Sequence, residues 1–325
     1  MAQRALLVGI DIYPYPPNNL NSCVNDTMAF RKTLTEIYGF RSTDITLLHN
    51  QDANYQNVTA SMDALFASAA SGDEIVYFQS SHGYQYPQGS TMVQVLCLYD
   101  KFLPDTELVS RTANLPSDVL TVVLDACHSG GMDKMFFPEG QPAIARAKVY
   151  QPTPEEQALR AGLTAQITDF KFFGMKSTAS SGTIMKAFDP ATTKAFVLAD
   201  SAAKDPLDPE LNGALFAACT SDQTAAAGSL ATNNLSAFTF GLTTQLDPNV
   251  SLNDLCSMVG ERLKGLNMKQ TPIYYVPTKH QELATETFIT MQTPTAGPSS
   301  QSGVAIGGTS AITQVINELR RNAGV

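Results

Sequence analysis

VLTVVLDACHSGG (residues 119–131) is a continuous apolar run that opens into small and polar residues, and DEIVYFQSSHG (73–83) does the same. Apolar runs this short, bounded by turn residues, read as buried strands. Working outward, ALLVGIDIY (5–13) is a further such run ending among Pro14, Pro16 and Pro17, and DITLLHN (44–50) is another. Between them lie helical patterns. Phe30, Leu34 and Ile37 share one face before Gly39. Val58, Met62, Leu65, Phe66 and Ala69 form a second stripe, which Asn57 is placed to cap. Residues 105–115 read as a short helix. Near-continuous apolar strands alternating with helices predict an α/β fold with a mostly parallel sheet covered on both faces.

The rhythm breaks over 132–210, which is rich in Pro, Thr, Ala and scattered Lys and reads as a long, partly irregular insertion. Regular structure resumes with a strand at 214–221 and a helix at 235–246. A second helix starts at the Ser251/Asp254 capping pair, with Leu252, Leu255, Val259 and Leu263 inward, and TPIYYVP (271–277) is a last strand. The expected organisation is one domain over 1–290 with the insertion inside it. A Gly/Ser/Thr/Pro-rich tail over 291–325 follows, with a short helix near 311–321.

The 325 residues carry a formal net charge of −9, which disfavours nucleic acid and anionic membranes as partners, and no apolar run is long enough to span a bilayer. The five cysteines (23, 97, 127, 219, 256) form no C-x-x-C pair. That pattern fits a reducing, cytoplasmic setting and neither a disulfide framework nor a zinc site.

Binding sites of open parallel sheets lie beyond the carboxyl ends of the strands. Two strands here end in polar small-residue loops, Ser80-Ser81-His82-Gly83 and Asp125-Ala126-Cys127-His128-Ser129-Gly130-Gly131. If those strands are neighbours, His82 and Cys127 face one crevice. A thiolate that attacks a carbonyl and an imidazole that protonates the leaving amine suffice for nucleophilic catalysis. The backbone N–H groups of Gly83 and Cys127 are candidates for the oxyanion hole. His128 is a rival base by adjacency, although neighbouring side chains diverge at a strand end.

These motifs resemble the caspase-like superfamily, and within it the metacaspase/orthocaspase branch. His-Gly after the third strand and Asp-x-Cys-His-Ser-Gly after the fourth are similar to the two catalytic motifs of that branch. The His-to-Cys spacing, 127 − 82 = 45, is near the roughly 50 residues of caspases. Cys23-Val24-Asn25-Asp26, Thr220–Ala225, Ala237–Phe240 and Gln270-Thr271-Pro272 match further segments. The resemblance covers about 5–131 and 213–277. It implies a three-layer α/β/α sandwich and a cysteine endopeptidase with Cys127 and His82 as its dyad. It also implies an acidic S1 pocket of Asp26, Ser80 and Asp125, so that cutting follows Lys or Arg in protein or peptide substrates. The physics agrees: buried carboxylates beside the nucleophile call for a cation. Ser81 is as close in sequence as Ser80, and Asp26 has the alternative duty of capping a helix. No Arg is close in sequence to either loop, Arg111 being the nearest.

Many metacaspases use calcium. The thin acidic inventory here (Asp100, Asp105, Glu107 and Asp118 between the motifs, Asp133 after them) argues against a calcium site, so no cofactor is expected. The insertion follows the nucleophile loop directly and carries basic residues the enzyme itself would accept: Lys134, Arg146, Lys148, Arg160, Lys171, Lys176, Lys186, Lys194 and Lys204. It is expected to be a regulatory segment of a zymogen, cut by the enzyme itself or by an activating protease. The competing readings are a catalytically weak scaffold and a separase-like or clostripain-like peptidase.

Overall fold

The structure is a computed structural model and describes residues 1–88, 91–127, 145–156, 169–172, 175–176, 210–220 and 223–291. His128, most of the expected insertion and the tail from residue 292 onward lie outside the described residues. In chain order the first elements are β1 (Gln3–Gly9), α1 (Cys23–Glu36), β2 (Ile45–His49), α2 (Tyr55–Ala67) and β3 (Glu74–Ser80). Then come β4 (Gly83–Gln88), β5 (Thr91–Cys97), β6 (Phe102–Pro104), α3 (Asp105–Thr112) and β7 (Leu120–Asp125). The last are β8 (Asp169–Phe172), β9 (Met175–Lys176), β10 (Ala214–Ala217), α4 (Ala237–Gln245), α5 (Leu252–Gly265) and β11 (Ile273–Tyr275).

The central sheet has the order β11-β10-β7-β3-β1-β2. Every neighbouring pair is parallel except β10 with β11. Parallel neighbours need long crossovers, and α1, α2 and α3 lie in those that join β1, β2, β3 and β7. Strand side chains alternate between faces. Ala5 and Leu7, Val76 and Phe78, and Val123 pack into one hydrophobic cluster with Phe30, Leu34, Phe238, Leu242, Leu255 and Val259 of α1, α4 and α5. Leu6 and Val8, Ile75 and Tyr77, and Val122 and Leu124 pack into another with Val58, Met62, Leu108 and Val109 of α2 and α3. The result is the expected three-layer sandwich with two cores, one on each face of the sheet.

Two details differ from the sequence reading. Asn54, not Asn57, caps α2, its side chain accepting the Asn57 N–H at 2.9 Å. The run after His82 is no loop: β4 and β5 form an antiparallel ladder (Gly83 opposite Leu96), β6 adds to β5, and β8 lies parallel to β5. The stretch 132–210 contributes at least β8 and β9 to a second sheet, as a partly irregular insertion allows.

Candidate active site

β3 and β7 are adjacent and in register, with Ser80 opposite Asp125, so the two sequence motifs leave the sheet side by side. The loops touch closely. A Cβ built on Gly83 would lie 1.5 Å from the Cys127 carbonyl oxygen, so only glycine fits there.

His82 is buried. Its backbone N–H donates to Tyr13 Oη at 3.0 Å, and its ring lies 5.1 Å from the Tyr13 ring. Nε2 sits 2.7 Å from the Asn18 carbonyl oxygen, which assigns the ring proton to Nε2 and leaves Nδ1 as the acceptor. Nδ1 is buried and makes no hydrogen bond. Burial pushes the imidazole pKa down to about 4, against the pull of the Asn18 and Lys148 backbones. Cys127 Sγ is buried as well; it accepts the Ala225 N–H at 2.8 Å and does not hydrogen-bond His82.

Asp26, Ser80 and Asp125 come together around one side chain of the chain itself. Lys148 is fully buried. Its Nζ lies 2.8 Å from Asp125 Oδ1, 2.8 Å from Ser80 Oγ, 2.9 Å from the Asp125 carbonyl oxygen and 3.4 Å from Asp26 Oδ2. Burial opposes the ammonium charge, but Asp125, Cys23 and Asp26 around it leave the Lys148 pKa above the ordinary lysine value. Burial raises Asp26 to about 6, with Lys148 the largest influence the other way. Ser80, not Ser81, faces the pocket; Ser81 Oγ donates instead to the His82 carbonyl oxygen.

Asp26 does not cap α1. Asp11 does, accepting the N–H groups of Ser22 and Cys23 at 2.8 Å and of Val24 at 3.0 Å. Asp26 turns to the start of α4, where the Ser236 N–H and hydroxyl both donate to it. Thr239, in the first turn of the same helix, donates its N–H (3.2 Å) and hydroxyl (2.6 Å) to Asp125 Oδ2. The donor-rich end of a helix thus steadies both carboxylates. Lys148, Ser236, Thr239, Asn18 and Tyr13 carry the site and stand outside the two motifs; only the 237–240 segment match pointed toward the start of α4.

The segment around Lys148 is extended between two walls. Lys148 N–H donates to Ala225 O at 2.9 Å, and Ala227 N–H donates to Arg146 O at 2.8 Å, an antiparallel pairing that bridges Ala147 and Ala226. On the other side Gly83 N–H donates to Lys148 O at 3.3 Å, and Tyr150 N–H to Gly83 O at 3.4 Å. One of the two candidate oxyanion donors thus already holds the Lys148 carbonyl. Arg146, remote from the loops in sequence, donates to the Asn19 carbonyl oxygen beside the site, whereas Arg111 pairs elsewhere, with Glu107 and Asp63. Among the described residues no group of three or more His, Cys, Asp or Glu is arranged to hold a metal ion; Asp133 lies outside them.

The family profile described as "Caspase domain" matches residues 2–283. Metacaspase-8 of Arabidopsis thaliana is 34% identical over 148 residues, covering 41% of this chain and 38% of its own length. Metacaspase-7 of the same plant is 31% identical over 170 residues, covering 48% of this chain and 41% of its own. The chain thus spans about two fifths of these relatives. Among solved structures, protein GSU0716 from Geobacter sulfurreducens superposes with a TM-score of 0.59 at 18% identity, covering 90% of this chain and all of its own, a likeness of fold. The chain belongs to the caspase-domain family, on its metacaspase branch.

Proposed function

We propose that this chain is a cysteine endopeptidase that cuts after Lys or Arg and is held latent by its own segment 145–151. The single observation that carries this is the Lys148 ammonium, buried among Asp26, Ser80 and Asp125 with its carbonyl on the Gly83 N–H. A side chain in the specificity pocket and a main chain paired along the groove are what a substrate requires, with Lys148 as P1, the residue before the scissile bond. In the reaction Cys127 Sγ, its proton passed to His82, attacks the P1 carbonyl carbon. The oxyanion is held by Gly83 N–H, with Cys127 N–H as the second donor. Collapse breaks the C–N bond, and His82 gives its proton to the leaving amine. Water, deprotonated by His82, then hydrolyses the thioester and restores the thiol. The Asn18 carbonyl keeps the imidazole in the tautomer this needs.

A cut after Lys148 turns a tethered occupant into a dissociable one and opens the pocket. Among the described residues Lys148 is the basic residue of the insertion seated in the pocket, which favours the enzyme itself as the activating protease. The test is to express the wild type, Cys127→Ala and Lys148→Gln and map fragments by mass spectrometry. The wild type is expected to break between Lys148 and Val149, and neither variant to do so. Peptides are expected to be cut after Arg and Lys by the wild type only, and His82→Ala should be nearly inactive. Asp125→Ala should lose Arg substrates by about 2–5 kcal/mol, the scale for stripping one partner from a desolvated charge pair. Cleavage after Asp in place of Arg, or full activity in Cys127→Ala, would overturn the reading. The absence of a hydrogen bond between Cys127 and His82 in this closed form also suits a catalytically weak scaffold. A cut chain that stays inert toward every basic peptide favours that alternative.

A further inference from the structure

We propose that the enzyme also reads its substrate beyond the scissile bond, through an aromatic shelf for the second residue after the cut and an asparagine clamp on the third. This rests on the reading of Lys148 as P1, which makes Tyr150 the P2′ residue and Gln151 the P3′ residue.

The shelf is built from the second sheet. The Tyr150 ring stands edge-on to Phe102 of β6, with centroids 5.1 Å apart and planes at 90°, and meets Tyr84 of β4 at 5.8 Å and 68°. Tyr84 and Phe102 stack on each other at 6.0 Å. The His82 ring completes the surround at 6.5 Å, edge-on. Edge-to-face geometry is what aromatic quadrupoles favour, and it adds to the gain from burying the ring. β4 begins at Gly83, immediately after His82, so the shelf is rigidly continuous with the catalytic loop. Once segment 145–151 leaves, Tyr84 and Phe102 present an apolar face beside the imidazole, suited to a ring arriving with the substrate.

The clamp is Asn18. Its Oδ1 accepts the Gln151 N–H at 2.7 Å, and its Nδ2 donates to the Gln151 carbonyl oxygen at 3.0 Å. One buried amide satisfies both backbone groups of one residue, which recognises an extended chain whatever its side chain. The same residue's carbonyl holds His82 Nε2. Asn18 ends a single helical turn entered through Pro16 and Pro17, which stiffen it. Asn18 is therefore a positioning residue that engages the primed backbone with its side chain and the imidazole with its main chain. The favoured substrate is a peptide with a basic P1, an aromatic P2′ and at least three residues after the cut.

The test uses the full-length protein and quenched fluorescent peptides with Arg fixed at P1. Tyr, Phe, Ala or Asp is placed at P2′, and a second series stops after P1′, P2′ or P3′. Tyr and Phe are expected to exceed Ala in kcat/KM by about 3- to 10-fold, the range for an aromatic pair contact. Peptides that reach P3′ should exceed those that stop short. In Tyr84→Ala the Tyr-to-Ala ratio should fall toward one. In Asn18→Ala the advantage of reaching P3′ should vanish, whereas a merely structural defect would lower long and short peptides alike. Efficient cutting after Arg with no P2′ or length preference overturns this inference and leaves the peptidase reading standing. If no basic peptide is cut at all, trypsin sensitivity of the Cys127→Ala chain decides. Adding Tyr150→Ala should speed trypsin cleavage at the otherwise buried Lys148 several-fold, and an unchanged rate overturns the shelf.

Discussion

At the scale of single residues, the site is made of close approaches that tolerate no added atom. Gly83 is the clearest: its missing side chain is what lets the His82 loop lie against the Cys127 carbonyl. Gly83→Ala would have to push the loops apart and carry away the N–H that now holds the Lys148 carbonyl. We expect kcat/KM to fall by at least about 100-fold, the effect of losing an oxyanion donor, together with a lower melting temperature. Steady-state kinetics beside thermal unfolding checks both, and activity within tenfold of wild type would mean the two loops are not so joined. That His82, Gly83 and Cys127 lie together was legible because each stands just beyond a buried strand, whereas Asp26, Ser80 and Asp125 were grouped through the family resemblance. Lys148 was not separable from eight other basic residues of the insertion, since nothing local marks a lysine that will be buried. Ser236 lies 210 positions from the Asp26 it serves, a partnership that only the fold creates.

At the scale of elements, the parallel core was readable because fully buried strands leave a continuous apolar signature: every residue of β7 is buried. The β4–β5 ladder was less so. Its strands, GYQYPQ and TMVQVLC, mix Gln, Tyr and Pro, as strands packed on one side do, and only the Gly89-Ser90 pair between them marks a hairpin. β11 reads like its parallel neighbours in sequence but runs against β10, and periodicity carries no strand direction. The element whose role was least visible is the start of α4. Ser236 and Thr239 there hold the Asp26 and Asp125 carboxylates, which on the proposed reading makes α4 part of the specificity pocket as well as of the core. Thr239→Val removes the hydroxyl bond to Asp125 and preserves the shape. A hydrogen bond to a charged group is worth about 1.5–3 kcal/mol, so kcat/KM for Arg peptides should fall roughly 10- to 100-fold, mostly through KM. Kinetics over a range of Arg-peptide concentrations would show it. A loss confined to kcat would mean that Asp125 acts on the chemistry and not on the pocket.

At the scale of the whole molecule, burial displaces several protons, and their signs decide how stability follows pH. His82, lowered to about 4 from an ordinary 6.5, is held neutral by the fold; its contribution is present above pH 6.5 and is lost as pH falls toward 4. His49, lowered by burial as well, acts in the same direction. Asp26, raised from 3.8 to about 6, acts the other way: the folded state retains its proton, and the contribution present below pH 3.8 is lost as pH rises to 6. These opposed slopes overlap between pH 4 and 6 and largely offset each other. Glu74, at the opposite end of β3 from the active site, is raised by burial from 4.5 to about 8, although it accepts the Thr290 N–H, and the Asp118 charge adds to the rise. Its contribution is lost from pH 4.5 to 8. Its range extends past those of His82 and Asp26 into pH 6.5–8, below the range where the raised Cys23, Cys256, Tyr38 and Tyr77 lose protons. Stability should therefore decline between pH 6.5 and 8. Glu74→Gln keeps an acceptor for the Thr290 N–H and removes the titrating proton, so it should flatten that decline and leave the behaviour below pH 4.5 nearly unchanged. Melting temperatures of both proteins at half-unit pH steps, in the Cys127→Ala background to suppress self-cleavage, make the measurement. An equal slope in the two would locate the alkaline sensitivity in another group and remove Glu74 from the account.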